Sequence, residues 1–217
     1  MINTLVFDLD GTLVYTLPDL ANGVNYSLEL NGFKTHSESE IKTYLGNGSR
    51  VLIEKAIGTK VSEEIFRKVF DDYLKYYLEH VDVKSVEYDG MSEVLREFKS
   101  RGFKLFVLTN KPDNAAKRLC HSLFGNVFDC VLGNSKKFPT KPDLTGFNYL
   151  KSRFNLRDGE ICYFGDSDVD MITSRRANCA ATVACAYGYR DVEELKKYKP
   201  EYIISTPKDI LKLDIFN

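Results

Sequence analysis

A doubly wound α/β core with a helical block inserted after its first strand is the architecture this 217-residue sequence predicts. Three observations predict it. Six short apolar runs read as strands buried on both faces. Helical patterns separate the last five of them. The stretch from 15 to 83 shows helical spacing and no convincing strand.

The strand runs lie at 4–7, 104–108, 127–132, 161–164, 182–184 and 202–204. Each is nearly continuously apolar, which suits parallel strands covered on both sides. Between them, residues 92–100 follow Gly90 and stop at Arg101-Gly102, so both ends of a helix are marked. Asp113 after Pro112 opens another. Inside the inserted stretch, Leu20, Val24 and Leu28 fall four apart, and Phe66, Phe70, Tyr73 and Tyr77 follow spacings of four, three and four. Such stripes pack helices together. The economical organisation is a Rossmann-like core of residues 1–14 and 84–217 carrying an all-helical cap domain of residues 15–83.

Composition narrows the function classes. A hydrophobic fraction of 43% and a charged fraction of 28% describe an ordinary globular chain. Thirty basic and 31 acidic residues leave a net charge of −1, so neither nucleic acid nor an anionic membrane is expected as a partner. No run approaches the ~18 apolar residues of a membrane span, and the apolar start is shorter than a signal segment. A cytoplasmic protein, monomeric or homodimeric, is expected. The five cysteines are odd in number and form no Cys-x-x-Cys pair, which fits free thiols, and three scattered histidines do not make a zinc centre.

Chemistry concentrates at strand ends, where open α/β sheets bind ligands. Asp8-Leu9-Asp10-Gly11-Thr12 follows the first run, and a turn at Gly11 lets two carboxylates gather at one strand end. Leu108-Thr109-Asn110-Lys111 follows the second run and offers a hydroxyl and backbone N–H donors. Lys141-Pro142 supplies a cation, with Lys136 and Lys137 as neighbouring alternatives. Phe164-Gly165-Asp166-Ser167-Asp168-Val169-Asp170 follows the fourth run. Helix capping alone would account for Asp168 or Asp170.

These four segments, in this order, resemble the haloacid dehalogenase superfamily of phosphotransferases. The resemblance implies that Asp8 is a nucleophile forming an aspartyl phosphate. Asp10 would act as general acid for the leaving alcohol and then as general base for water. Thr109 and Asn110 would bind the phosphoryl group, and Lys141 would screen its charge from Asp8. Mg2+ would sit on the Asp8 carboxylate, the Asp10 carbonyl and Asp166, with Asp170 behind them. A carboxyl at Asp10 argues against dehalogenation, which needs no proton on a leaving oxygen. The chain departs from the pattern at Lys141-Pro142-Asp143-Leu144, which lacks a second proline.

In the inserted stretch, Pro18-Asp19-Leu20 and Gly46-Asn47-Gly48 look like the phosphoglycolate phosphatase branch of that superfamily. Gly46, Asn47 and Gly48 would form a tight loop whose N–H groups meet an anion. Arg50 would clamp a substrate carboxylate. Tyr15 stands where the branch has an acidic residue, and Tyr187-Gly188-Tyr189 resembles another branch feature. The resulting expectation is a magnesium-dependent phosphatase acting on a small phosphorylated metabolite, 2-phosphoglycolate first. Pyrophosphate, sugar phosphates and nucleotides are alternatives, as is a phosphosugar mutase of the β-phosphoglucomutase type, which the glycine loop fits less well.

Overall fold

The computed structural model describes residues 1–216. Their main sheet contains β1 (Thr4–Phe7), β4 (Lys104–Pro112), β5 (Cys130–Asn134), β6 (Ile161–Gly165), β7 (Ala181–Cys185) and β8 (Tyr202–Ile204). The order is β5-β4-β1-β6-β7-β8, and every neighbouring pair is parallel. From the central β1 the chain winds first toward β5 and then back toward β8. The crevice at such a reversal opens beyond the carboxyl end of the central strand. Phe7, the last residue of β1, aligns with Val107 on one side and Phe164 on the other.

Alternation along β1 divides the interior. Leu5 and Phe7 join one cluster with Leu105, Val107, Cys162 and Phe164, while Val6 faces another with Phe106, Leu132, Phe147 and Tyr163. Helices α5 (Met91–Ser100), α6 (Asp113–Phe124), α7 (Thr145–Phe154) and α8 (Asp168–Arg176) connect the strands, and a short α9 (Val192–Lys196) precedes β8. Among the described residues no helix is long and apolar enough to cross a membrane.

Between β1 and α5 lie α1 (Leu17–Leu30), α2 (Glu38–Tyr44), α3 (Gly48–Ile57) and α4 (Glu63–Glu79). Ser37 and Glu40 form a reciprocal capping box on α2, and Ser62 caps α4. The expected stripes face inward: Leu20, Val24 and Leu28 on α1, and Phe66, Tyr73 and Tyr77 on α4, are buried. These side chains belong to the same continuous apolar cluster as Leu5 and Phe7, and α3 meets the core at β4.

One element escapes the expectation of a strandless insert. Val14–Tyr15 forms β2, which pairs antiparallel with β3 (Val86–Glu87). Two residues per strand are too few to show a period. This ribbon holds the two connections to the helical block side by side. Asp19, buried in the first turn of α1, reinforces it by accepting from the Lys84 and Ser85 N–H groups and the Ser85 hydroxyl at 2.7–3.0 Å. Tyr15 itself sits edge-on to Tyr88 and Tyr189. Asp19→Ala leaves the buried Ser85 donors unpaired and is expected to cost about 2–3 kcal/mol in urea unfolding. A loss below about 0.5 kcal/mol contradicts this account of the connection.

Candidate active site

Asp8 is the first residue beyond β1, and its N–H continues the ladder to the Phe164 carbonyl at 2.9 Å. The chain then turns sharply. Gly11 has φ +87°, and the N–H groups of Thr12, Leu13 and Val14 all return to the Leu9 carbonyl. The turn brings Asp8 and Asp10 to one cleft between the sheet's carboxyl edge and the helical block. β4 delivers Thr109, Asn110 and Lys111 to the same cleft, and β6 delivers Asp166 and Ser167. Three separate segments of the core therefore meet there.

Charge is the dominant feature. One oxygen from each of Asp8, Asp166 and Asp170 lies within 4.8 Å of the others. Lys141 Nζ stands 2.9 Å from Asp8 Oδ1 and 2.7 Å from Asp170 Oδ1. The approach to Asp8 has ion-pair distance but not hydrogen-bond alignment, so this buried Oδ1 has no aligned donor. Burial, then the Asp170 charge, raises the Asp8 pKa to about 6 against the opposing pull of Lys141. Burial, then the charges of Asp170 and Asp8, pushes Asp166 well above the usual carboxylate range. Burial works against the Lys141 charge too, but Asp170 and Asp8 outweigh it and hold the lysine well above its ordinary value. Three acids facing one lysine leave negative charge uncompensated, and their hard oxygen donors fit a divalent cation such as Mg2+.

The surrounding polar groups fix these acids. Asp170 accepts from Lys141, Tyr163 Oη, Ser167 N and Ser167 Oγ, so it both caps α8 and holds the lysine. Asp166 accepts from Thr12 Oγ1 at 3.0 Å and Tyr189 N at 2.8 Å. The Tyr187-Gly188-Tyr189 turn is part of this cradle, because a Cβ at Gly188 would collide with the Asp166 side chain and the Gly11 carbonyl. Asp168 lies at the rim, 3.9 Å from Arg190.

The expected substrate residues divide. Thr109, Asn110, Gly46 and Gly48 line the cleft. The Asn110 amide, however, is already engaged: it donates to the Gly46 and Lys141 carbonyls and accepts from Lys141 N at 2.6 Å. It ties the glycine loop to the lysine loop. Asn47 is exposed at the start of α3 and is not among the cleft-lining residues. Arg50 requires correction as a carboxylate clamp. Its side chain is 57% exposed, pairs with Glu54 at 2.9 Å and Glu63 at 3.2 Å, and lies over the Phe66 ring. Lys136 and Lys137 are exposed, and Lys137 packs over Phe138 and Tyr149, which leaves Lys141 as the lysine at the acids.

Two cleft cations have no role in the expectation drawn from sequence. Lys111 is buried, pairs with Asp10 Oδ1 at 2.8 Å and bonds the Tyr77 hydroxyl of α4. Arg190 reaches the cleft from the loop after β7 and donates to the Leu45 carbonyl at 2.6 Å. The available signal is a position at the carboxyl end of a strand for Lys111, near the end of β4, and in the loop beyond one for Arg190.

Comparison with known proteins agrees with this geometry. The family model for haloacid dehalogenase-like hydrolases matches residues 5–184. The chain is 31% identical over 214 residues to a phosphoglycolate phosphatase of Colwellia psychrerythraea, covering 95% of this chain and 94% of that one. It is 32% identical over 215 residues to a phosphoglycolate phosphatase of Mannheimia succiniciproducens, covering 95% and 96%. A crystal structure described as a predicted phosphoglycolate phosphatase from Haemophilus somnus superposes with a TM-score of 0.89, at 32% identity and 97% coverage of each chain. With its acids and lysine gathered at the carboxyl ends of a doubly wound sheet, the chain belongs to the haloacid dehalogenase-like hydrolase family.

Proposed function

We propose that this protein is a magnesium-dependent phosphatase that hydrolyses a small phosphate monoester, with 2-phosphoglycolate as its first substrate. The observation that carries the chemistry is Asp8: a buried carboxylate at the end of the central strand, in ion-pair contact with Lys141 and two residues from a second cleft carboxylate. The named relatives support the substrate. In this reading residues 15–83 cap a core of residues 1–14 and 84–217.

Asp8 attacks phosphorus, the ester oxygen departs, and the phosphoryl group rests on the Asp8 carboxylate. Asp10 gives its proton to the leaving alkoxide and then takes one from the water that cleaves the aspartyl phosphate. Lys111 holds one Asp10 oxygen, which leaves the other to exchange that proton. Thr109 offers its hydroxyl to a phosphoryl oxygen, and Lys141 offsets the repulsion between Asp8 and the incoming dianion. Asp8 and Asp166, with the Asp10 carbonyl and with Asp170 behind them, would hold Mg2+, and the ion would supply positive charge to the phosphoryl oxygens.

Asp8→Asn is expected to lower kcat on 2-phosphoglycolate by about 10⁴-fold or more. Because it removes one of three crowded charges, it is not expected to lower the Tm of the metal-free protein at pH 7.5. Wild-type turnover by this variant removes Asp8 as nucleophile.

Metal binding should follow pH. The folded-state value of Asp8 is raised to about 6 and that of Asp166 is raised too, so the native protein keeps protons that the unfolded chain has released, and that contribution to stability is lost as pH rises through the raised values. A cation must displace the same protons. Added MgCl2 is therefore expected to raise Tm more at pH 7.5 than at pH 5. Equal rises at both pH values contradict cation binding at these acids.

A further inference from the structure

The substrate proposed above carries a carboxylate as well as a phosphate, and Arg50 is turned away from the cleft. Among the cleft-lining residues the cations are Lys111 and Arg190. Lys111 is committed to Asp10 and Tyr77. Arg190 is not committed in the same way. Its side chain is only 14% exposed, and Nη2 donates to the Leu45 carbonyl. Its Nε lies 3.9 Å from both the Asp168 and Glu194 carboxylates, beyond hydrogen-bond reach. A guanidinium has five N–H donors, and one of these is engaged here.

The surroundings place this charge close to the phosphoryl end. Arg190 follows directly on Tyr189, whose N–H holds Asp166. Gly46 faces it across the cleft wall: a Cβ there would stand 3.2 Å from Arg190 Nη2, in a backbone conformation, φ +105°, that side chains rarely adopt. The glycine thus lets the guanidinium approach the Leu45–Gly46 peptide of the helical block. Two carboxylates lie near Nε, but apart from the Nη2 contact the fork's N–H donors have no hydrogen-bond partner among the described residues and can take a further anion at the cleft.

We propose that Arg190 binds the substrate carboxylate through its remaining donors while Nη2 keeps the Leu45–Gly46 loop over the cleft, an assignment that rests on the phosphoglycolate reading above. The carboxylate and phosphate of one small molecule would then be held from the core side. The loop carbonyl on Nη2 orients the fork, and Asp168 and Glu194 hold its Nε side by ion pairing while leaving the other donors free of hydrogen bonds.

The test compares kcat/KM for 2-phosphoglycolate and ethyl phosphate, which lacks the carboxylate, in the magnesium-loaded wild type, R190A, R190Q and R190K. R190Q retains an N–H for Leu45 but no charge, and R190K retains the charge without the fork. These two variants keep the question open to measurement should R190A fold poorly. R190A and R190Q are expected to lose about 10- to 100-fold on 2-phosphoglycolate, mainly through KM. On ethyl phosphate they have only the loop contact to lose, and a few-fold drop is expected. R190K is expected to recover part of the preference. If the wild type favours 2-phosphoglycolate and the R190A and R190Q variants keep that preference, with both substrates reduced equally or not at all, Arg190 is a loop contact only and the assignment is overturned. If the wild type itself shows no preference for the carboxylated ester, the substrate reading fails and takes the Arg190 assignment with it.

Discussion

Three buried carboxylates, Asp8, Asp166 and Asp170, share a single lysine, and most of the polar architecture near them serves to hold like charges at that spacing. Burying charge is unfavourable unless partners are placed accurately. Here the partners come from far apart in the chain: Lys141 from the loop before α7, Thr12 from the turn after β1, and Tyr189 from the loop after β7. Asn110 grips the lysine loop through both the N–H and the carbonyl of Lys141. The excess negative charge that remains is what the proposed cation would offset.

The doubly wound order makes that convergence possible. β1 is central, with β4 and β6 on its two sides, so three adjacent strand ends open on one crevice. The helical block closes over it through polar links made next to the acids. The Gly46 carbonyl meets Asn110, the Leu45 carbonyl meets Arg190, and Tyr77 meets Lys111, which in turn holds Asp10. Asp19 and the β2–β3 ribbon hold the block where its two connections enter.

Strand runs and acid motifs were legible because their signals are local. Continuous apolar runs located the six sheet strands, although β4 continues through Thr109, Asn110 and Lys111 to Pro112, and β5 begins at Cys130 rather than at 127. Val127 and Phe128 pack against the core from the preceding loop, so their apolar character reports burial and not strand pairing. The β2–β3 ribbon was invisible because a two-residue strand has no period, and its partner lies about 70 residues away. The aromatic spacing on α4 reports packing, yet it does not disclose that the Tyr77 hydroxyl reaches Lys111.

The sequence by itself determined the class of fold and the acidic residues at the strand ends. Short-range spacing is set by covalent geometry, and a carboxylate two residues from another after a buried strand has few places to go. Only the tertiary structure decided which cations serve those acids. Lys141 was separated from Lys136 and Lys137 by burial, and at the cleft wall Arg190 from Arg50 by exposure, 14% against 57%. Partner choice depends on through-space distances of a few ångströms between segments more than a hundred residues apart, and no local pattern encodes such distances.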